Sequence, residues 1–117
     1  MTSKQMMTTR RPYLIRALHQ WICDNELTPQ ILIDAQAEGV QVPTSYVNDS
    51  GQIVFNLSPS AIRHLKLGLR QITFSATFGG MVSDVVLPIE SILAIYALEN
   101  EQGYLFEKPL DGVLDAE

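Results

Sequence analysis

The stretch Arg11-Pro-Tyr-Leu-Ile-Arg-Ala-Leu-His-Gln-Trp-Ile-Cys-Asp-Asn-Glu-Leu-Thr-Pro29 decides how this chain begins to fold. Pro12 fits the first turn of a helix, where a backbone N–H would lack a partner, and Thr28-Pro29 ends the helix. Apolar residues recur between them at spacings of three and four, on one helical face. This stripe consists of Leu14, Ala17, Leu18, Trp21 and Ile22. A one-sided helix buries its stripe, so its partner is either the chain's own sheet or a second copy of the molecule.

The composition indicates one small globular domain. The chain has 117 residues, 46% of them hydrophobic, and its apolar runs fall short of the roughly 18–20 residues that cross a bilayer. A single cysteine excludes an internal disulfide and favours a reducing cytoplasm, and the polar start of the chain lacks a secretory signal. We expect residues 1–9 to be a flexible N-terminus, 10–107 to form the domain and 108–117 to begin a flexible acidic C-terminal tail.

Acidic residues concentrate at the C-terminus, although the net charge of −5 suggests an evenly acidic protein. Residues 50–83 contain Arg63, Lys66 and Arg70 and no acid, so the middle of the chain is mildly basic. For nucleic-acid binding we would expect more positive charge with interleaved aromatic residues. The charge pattern therefore argues against nucleic acid as a partner, and an ordinary solvated face explains the basic trio as well as an anionic partner does.

The rest of the chain shows strand patterns separated by turn signals. Alternating apolar and β-branched residues predict strands, which cover 30–35, 52–57, 69–78, 81–87 and a short final stretch at 104–106. Gly79-Gly80 fits a two-residue hairpin turn between two of them. The segment 39–43 ends at a proline, which indicates a sheet edge.

Two further helices are predicted after the first. Ser58-Pro59 resembles a cap followed by a proline at the first helical position, which predicts one or two turns over 58–65. The run 89–100 is apolar almost all round and predicts a second, buried helix. The predicted fold class is α+β, with a strongly bent antiparallel sheet or partial barrel as its centre.

Cys23, His19 and His64 are the side chains that could carry nucleophilic or acid–base chemistry. None stands at a metal-ligand spacing, and Asp24 beside Cys23 disfavours a thiolate. We interpret the cysteine as structural and both histidines as solvated. The prediction is a protein without catalytic activity, metal or cofactor, and a small thiol enzyme using Cys23 is the alternative.

The segment Phe74-Ser-Ala-Thr-Phe-Gly-Gly-Met81 suggests a binding surface. Small residues and glycines in a sheet let another backbone come close, and a flanking methionine supplies an adaptable apolar wall. Core packing alone explains Phe74, whereas a peptide groove explains the whole set together.

Several motifs together resemble the stringent starvation protein B (SspB) family, whose members are adaptors of the ClpXP protease in proteobacteria. In chain order they are Arg11-Pro-Tyr-Leu-Ile-Arg-Ala17, Trp21, Asp24-Asn25, Leu27-Thr-Pro29, Gly39-Val-Gln-Val-Pro43, Gly51-Gln-Ile-Val54, Phe74, Phe78-Gly-Gly80 and Leu93-Ala-Ile-Tyr-Ala-Leu-Glu-Asn100. Each motif is weak alone, but their order and spacing from about residue 10 to residue 107 make chance agreement improbable.

The resemblance implies a specific binding function without catalysis. Family members are homodimers joined largely through the N-terminal helix and built on a bent sheet similar to the Sm fold. They bind the ssrA tag, a short peptide added to stalled nascent chains, in an apolar groove. A motif at the end of a long C-terminal tail then tethers the cargo to the ATPase ClpX, which raises its local concentration there.

The pattern and the resemblance together place the groove over residues 52–57 and 72–81. Its expected peptide-binding residues are Val47, Phe55, Asn56, Ala76, Thr77, Phe78, Gly79, Gly80 and Met81, and the expected dimer interface is the helical stripe. Arg63, Lys66 or Arg70 would steer a partly acidic tag.

Three departures from the family pattern affect these expectations. Thr77 stands where the family usually has an arginine, and Glu99-Asn100-Glu101 replaces its Glu-Asn-Gly segment. The sequence ends at Glu117 without the family's long tail, so we expect it to bind cargo and dimerise but to deliver poorly. An Sm-like RNA-binding module is the alternative function.

Overall fold

The computed structural model describes residues 7–106, which form one α-helix and seven β-strands. Their bounds are α1 Arg11–Asp24, β1 Pro29–Asp34, β2 Gln52–Asn56, β3 Arg63–Leu67, β4 Gln71–Phe78, β5 Met81–Pro88, β6 Ile92–Ala97 and β7 Gly103–Leu105. Short 3₁₀ turns lie at Thr44–Tyr46 and Ile89–Ser91. The α+β class is confirmed, with the described strands in two antiparallel sheets that do not close into a barrel. Most of the two predicted flexible termini lies outside the described residues.

The larger sheet has the strand order β2-β1-β6-β7 and carries most of the core. Ile31 in β1 lies opposite Phe55 in β2 and Ile95 in β6, and all three side chains are buried. Residues alternate between buried and half-buried along β1, as expected of a strand that covers a core with one face.

The smaller sheet has the order β3-β4-β5 and is held together by the β4–β5 hairpin. Ile72 and Phe74 point into the core, while Thr73 and Ser75 between them are half-buried. The predicted edge segment 39–43 meets this sheet through a single bridge between Gln41 and Val86.

The helix α1 is fixed to the core by an unexpected residue. Arg11 is only 2% exposed; its Nη1 donates to the Ile92 carbonyl oxygen at 2.9 Å, and its guanidinium lies 4.9 Å from the Phe106 ring centroid. Ile15 and Ile22 are buried on the same side. One charged side chain thus ties the start of the helix to β6 and to the last described residue.

The predicted apolar stripe of the helix is divided between the core and the surface. Ile22 is 2% exposed, Leu14 and Leu18 are half-buried, and Ala17 and Trp21 are exposed. The buried face centres on Ile15 instead, so part of the stripe is left uncovered in the single chain.

The prediction of a second helix over 89–100 is wrong. One 3₁₀ turn at Ile89–Ser91 leads into strand β6, which lies between β1 and β7 and is buried at five of its six positions. A strand covered on both faces is apolar at successive residues, so a short apolar run cannot distinguish it from a buried helix.

The short helix predicted over 58–65 is also wrong. Asn56 Oδ1 accepts hydrogen bonds from the Ser58 N–H at 2.8 Å and the Ser58 hydroxyl at 2.7 Å, which turns the chain without starting a helix. The chain then enters β3, where Leu65 and Leu67 pack against the core. The described residues also contain no helix that is long and apolar enough to span a membrane.

Candidate functional site

The β4–β5 hairpin ends in a tight turn that only glycines fit easily. Gly79 and Gly80 have φ values of +57° and +84°, the positive pair that a two-residue type I′ turn requires. A Cβ on Gly79 would lie 3.3 Å from the Tyr46 hydroxyl, a tight contact. The turn therefore closes the pairing of Phe78 with Met81 and brings the hairpin tip against the 3₁₀ turn at Thr44–Tyr46.

Aromatic side chains join the hairpin to the larger sheet. The ring centroid of Phe78 lies 5.3 Å from that of Tyr46 and 6.0 Å from that of Phe55, whose ring in turn lies 5.3 Å from Phe74. Edge-to-face and tilted pairs of this kind add about 0.5–1.5 kcal/mol each beyond the area they bury. They hold the hairpin in a fixed position relative to the core.

A surface groove of about 670 Å³ lies beside β4, and we call it the hairpin groove. The chain between β2 and β3 forms one wall, and the last residues of β4 form the other. Its lining residues are Pro59, Ser60, Ala61, Ile62, Arg63, His64, Ser75, Ala76, Thr77 and Val82.

Two of the nine predicted peptide-binding residues line this groove. Ala76 and Thr77 do so directly. Phe78, Gly79, Gly80 and Met81 form the adjoining hairpin tip, where Met81 is 72% exposed.

The remaining predicted residues are more enclosed or engaged locally. Phe55 is 4% exposed and lies in the core beneath the hairpin, and Val47 is half-buried against the core. Asn56 is exposed, and its Oδ1 holds the first turn of the groove wall. None of these three residues lines the hairpin groove.

The three basic residues Arg63, Lys66 and Arg70, which the sequence could not rank as contacts for an acidic tag, lie in different surroundings in the structure. Arg63 lines the hairpin groove together with His64, whose φ of +60° lies at an irregularity in the β3–β4 register. Lys66 lies further along β3, in a separate depression that also contains Asp84. Arg70 follows β3 and is exposed. Arg63 is thus the basic residue of the trio that faces the groove.

Sequence reasoning missed the whole wall from Pro59 to Ile62 and the contribution of Tyr46. The wall was hidden by interpreting Ser58-Pro59 as a helix start. The Asn56-x-Ser58 spacing, which permits a side-chain turn, is the signal that points to it. Tyr46 lies next to the predicted Val47 and carried no distinct pattern of its own.

Cys23 has no activated environment. Its Sγ lies 3.9 Å from His19 Nε2, but that nitrogen lies 2.9 Å from the Leu57 carbonyl oxygen, to which it can donate. Burial, and secondarily the neighbouring Asp24 carboxylate, raises the pKa of the Cys23 thiol. A raised pKa leaves less thiolate at neutral pH, which makes this cysteine a poor nucleophile.

The fold and groove define a small α+β domain that presents a partly apolar, basic-rimmed surface groove. Residues 7–106 contain no group of three or more His, Cys, Asp or Glu side chains placed to hold a metal ion.

Comparison with known proteins identifies the family. A sequence profile of the stringent starvation protein B family, SspB, matches residues 9–116, and the chain belongs to this family. It is 48% identical over 98 residues to the stringent starvation protein B homolog of Haemophilus influenzae. The match covers 84% of this chain and 65% of that relative, so the chain spans just under two thirds of the relative's length. The resemblance found in the sequence is therefore confirmed at the level of the family.

Proposed function

We propose that this protein is a non-enzymatic adaptor that binds ssrA-tagged polypeptides in the hairpin groove and delivers them to ClpX for degradation by ClpXP in the cytoplasm. The observation that carries the proposal is the position of the groove. It adjoins the Phe78-Gly-Gly80 turn, a motif of the family resemblance, and Ala76 and Thr77 lie in its wall.

The chemistry of the groove suits an extended, partly acidic peptide. Ala76, Ile62 and Val82 offer apolar surface, and Arg63 provides a positive charge at the rim. Apolar contacts would supply affinity, while the rim charge would mainly speed association and favour acidic sequences. Binding both cargo and ClpX raises the local concentration of cargo at the unfoldase without any chemical step in the adaptor.

Titration of a fluorescent ssrA-tag peptide tests the binding step. Ala76→Gln places a longer side chain in the groove and should weaken binding at least tenfold. Thr73→Gln, on the same strand outside the groove, should bind within twofold of wild type. Thermal unfolding of both variants controls for damage to the fold. Unchanged affinity in a folded Ala76→Gln variant would place the peptide elsewhere, and preference for a single-stranded RNA of equal length would favour the Sm-like alternative.

Delivery is tested separately from binding. A tagged reporter at a concentration below its KM should be degraded modestly faster by ClpXP when this protein is added, in line with the poor delivery expected from the sequence. An equal rate, with tag binding intact, would restrict the function to cargo capture.

Homodimerisation through α1 is the second part of the proposal. Tyr13 is 47% exposed and Trp21 is 45% exposed on the helix surface, with Ala17 between them. Large apolar side chains grouped on one surface are typical of interfaces. In sedimentation, Trp21→Asp should change a dimer into a folded monomer; a dimer as stable as wild type would exclude this face.

A further inference from the structure

The larger sheet has one side that is turned away from the core, and we call it the outer face. Ile31, Phe55 and Ile95 point into the core, so the residues that alternate with them along the strands point outward. The register aligns four outward residues in one row across all four strands, and all of them are apolar: Val54, Leu32, Ala94 and Leu105. The two at the ends of this row, Val54 and Leu105, are exposed.

A depression of about 460 Å³ lies in the outer face where β6 meets β7. Its lining comes from β1, β6, β7 and the turn between the last two, so within residues 7–106 no helix lies over it. Ala94 is nevertheless buried, because the longer side chains of Leu32 and Leu105 on the neighbouring strands shield it. A small residue between two larger apolar ones gives the depression a shape that can receive one long side chain.

Tyr96 supplies the aromatic part of the lining. It is the next outward residue after Ala94 on β6, and it lies opposite Gly103 on β7. A Cβ at Gly103 would collide with the backbone of Ile95 and Tyr96, so β7 carries no side chain at the position opposite Tyr96. An aromatic ring that is left accessible in this way can attract a cation to its face.

Glu101 adds a carboxylate to the same lining. Its φ of +61° lies in the left-handed region that favours glycine, the residue that the family usually has here. Its N–H donates to the Ala97 carbonyl oxygen at 2.7 Å, which fixes the turn. Burial, and secondarily the Glu101 carboxylate, raises the pKa of the Tyr96 hydroxyl, so the two side chains interact. A charged residue held in a strained conformation beside an apolar depression points to a function.

The distribution of charge makes the outer face complementary to a basic partner. Within residues 7–106, every lysine and arginine lies in or close to α1 or β3: Arg10, Arg11, Arg16, Arg63, Lys66 and Arg70. The four strands of the larger sheet contain no basic residue, and Glu101 is the charged residue in the lining of the depression. Opposite charge on a partner would therefore meet no repulsion there.

We propose that the outer face is a second docking surface, which binds a basic and apolar segment of a partner protein. A lysine or arginine of that segment lays its aliphatic stem over Ala94 and directs its charge to Glu101, while its apolar neighbours contact the row. This surface is separate from the hairpin groove, which is lined by the Pro59–Ile62 wall and the smaller sheet. The inference does not rest on the proposed function, and it allows a partner and cargo to be bound together.

Two labelled peptides of equal length test the surface by fluorescence anisotropy. In the first peptide arginines alternate with leucines, and in the second glutamates replace the arginines. The first should bind about tenfold more tightly than the second, and added salt should weaken its binding because the contact with Glu101 is charged. An excess of unlabelled ssrA-tag peptide should leave the affinity of the first peptide unchanged.

Substitutions at Glu101 test the charged contact. Glu101→Gln should weaken binding of the arginine peptide about two- to fivefold, as expected for an exposed charge pair. Glu101→Gly should weaken it equally and have a Tm at least as high as wild type, because glycine relieves the left-handed backbone. Glu38→Gln removes the same charge from an exposed position outside the depression and should leave binding unchanged.

Leu105→Ser tests the apolar contact. This side chain is exposed, so its loss should change stability little but weaken binding of the arginine peptide about three- to tenfold. Losses in the Glu101 and Leu105 variants without a loss in Glu38→Gln support the proposal. Failure of the arginine peptide to bind, equal binding of the two peptides, or equal affinity in all variants overturns it.

Sedimentation and tag binding separate the remaining outcomes. A lower dimer fraction in Leu105→Ser, with peptide binding as in wild type, would assign the outer face to a second copy of the chain and overturn the proposal. Affinity for the ssrA-tag peptide should be unchanged in all four variants, because none of the substituted residues lines the hairpin groove. Failure of the proposed function would therefore appear in tag binding, and failure of this inference in the arginine-peptide measurements.

Discussion

The two sheets of this domain differ in how completely their strands are paired and buried. In the larger sheet, β6 is paired on both sides and buried at five of six positions. In the smaller sheet, β3 has no fully buried residue, and Met81 and Val82 of β5 are each 72% exposed. The larger sheet stabilises the fold, whereas the smaller sheet borders the hairpin groove.

This contrast shows how stability and recognition can be separated in a small protein. Apolar burial is concentrated around β1 and β6, so the hairpin tip can remain exposed to solvent without unfolding the domain. Phe78 connects the two regions through its contacts with Tyr46 and Phe55. Substitutions in the larger sheet should therefore reduce stability, and those at the groove should mainly reduce binding.

Ile31→Ala should produce the largest change in stability. Ile31 is 0% exposed at the centre of the larger sheet, and truncating such a residue costs about 2–5 kcal/mol of unfolding free energy. Val82→Ala, in the exposed part of β5, should cost no more than about 0.5 kcal/mol. Urea denaturation measures both. Similar losses from the two variants would contradict the division between the sheets.

Phe78→Ala should affect both properties because this side chain links the two regions. Loss of two aromatic contacts from a half-buried site should cost about 2 kcal/mol of unfolding free energy. Binding of the tag peptide should weaken because the hairpin tip is no longer fixed. Met81→Ala, at the other side of the turn, is the control and should change stability by less than about 0.5 kcal/mol. Full tag affinity in Phe78→Ala would show that hairpin position does not control the groove.

The sequence predicted α1 and the strands with one buried face, but it assigned the segments of β3 and β6 to helices. Ile53, Phe55 and Leu57 alternate with polar or exposed residues and are buried as expected. A strand that buries only one face shows apolar residues at every second position, and this repeat can be seen in the sequence. The β6 run has no such period, since both of its faces are covered. In α1, the burial of Arg11 could not be inferred from hydropathy because its carbonyl partner, Ile92, is 81 residues away.

The hairpin was predictable, but the groove wall was not. Gly79-Gly80 indicates a type I′ turn directly from residue type, so the hairpin tip follows from local sequence. The wall Pro59–Ile62 depends on where β3 begins relative to β4, and a register of that kind is set by tertiary packing. This is why three basic residues stayed equivalent in the sequence and why only the fold singled out Arg63.

Arg63→Gln should lower tag affinity by a smaller amount than groove-filling changes. A solvent-exposed charge pair contributes about 0.2–1 kcal/mol, so we expect a loss of about two- to fivefold at low salt. Lys66→Gln removes the same charge from the same strand outside the groove and should have less effect. The difference between the variants should shrink as salt is added. Equal losses at all salt concentrations would indicate general attraction and not a contact in the groove.

Substitution of Glu99 should have the smallest of these effects. It should change stability at acidic pH, and the residue lies away from the groove. Its carboxylate accepts hydrogen bonds from the Thr28 N–H at 2.9 Å and the Thr28 hydroxyl at 2.7 Å, and these lower the pKa of Glu99 below the ordinary value of 4.5. A lowered pKa stabilises the fold above the unfolded-state value, and this contribution is lost as pH falls through the folded-state value.

The stability advantage of wild type over Glu99→Gln should therefore shrink as the solution is acidified below pH 4.5. Thr28→Val removes the hydroxyl donor and keeps the backbone donor, so NMR titration should give a Glu99 pKa closer to its ordinary value in that variant. Tag affinity at neutral pH should be unchanged in both variants, because the contact joins the α1–β1 and β6–β7 connections of the larger sheet. A Glu99 pKa that is identical in wild type and Thr28→Val would show that the hydroxyl contact does not persist in solution.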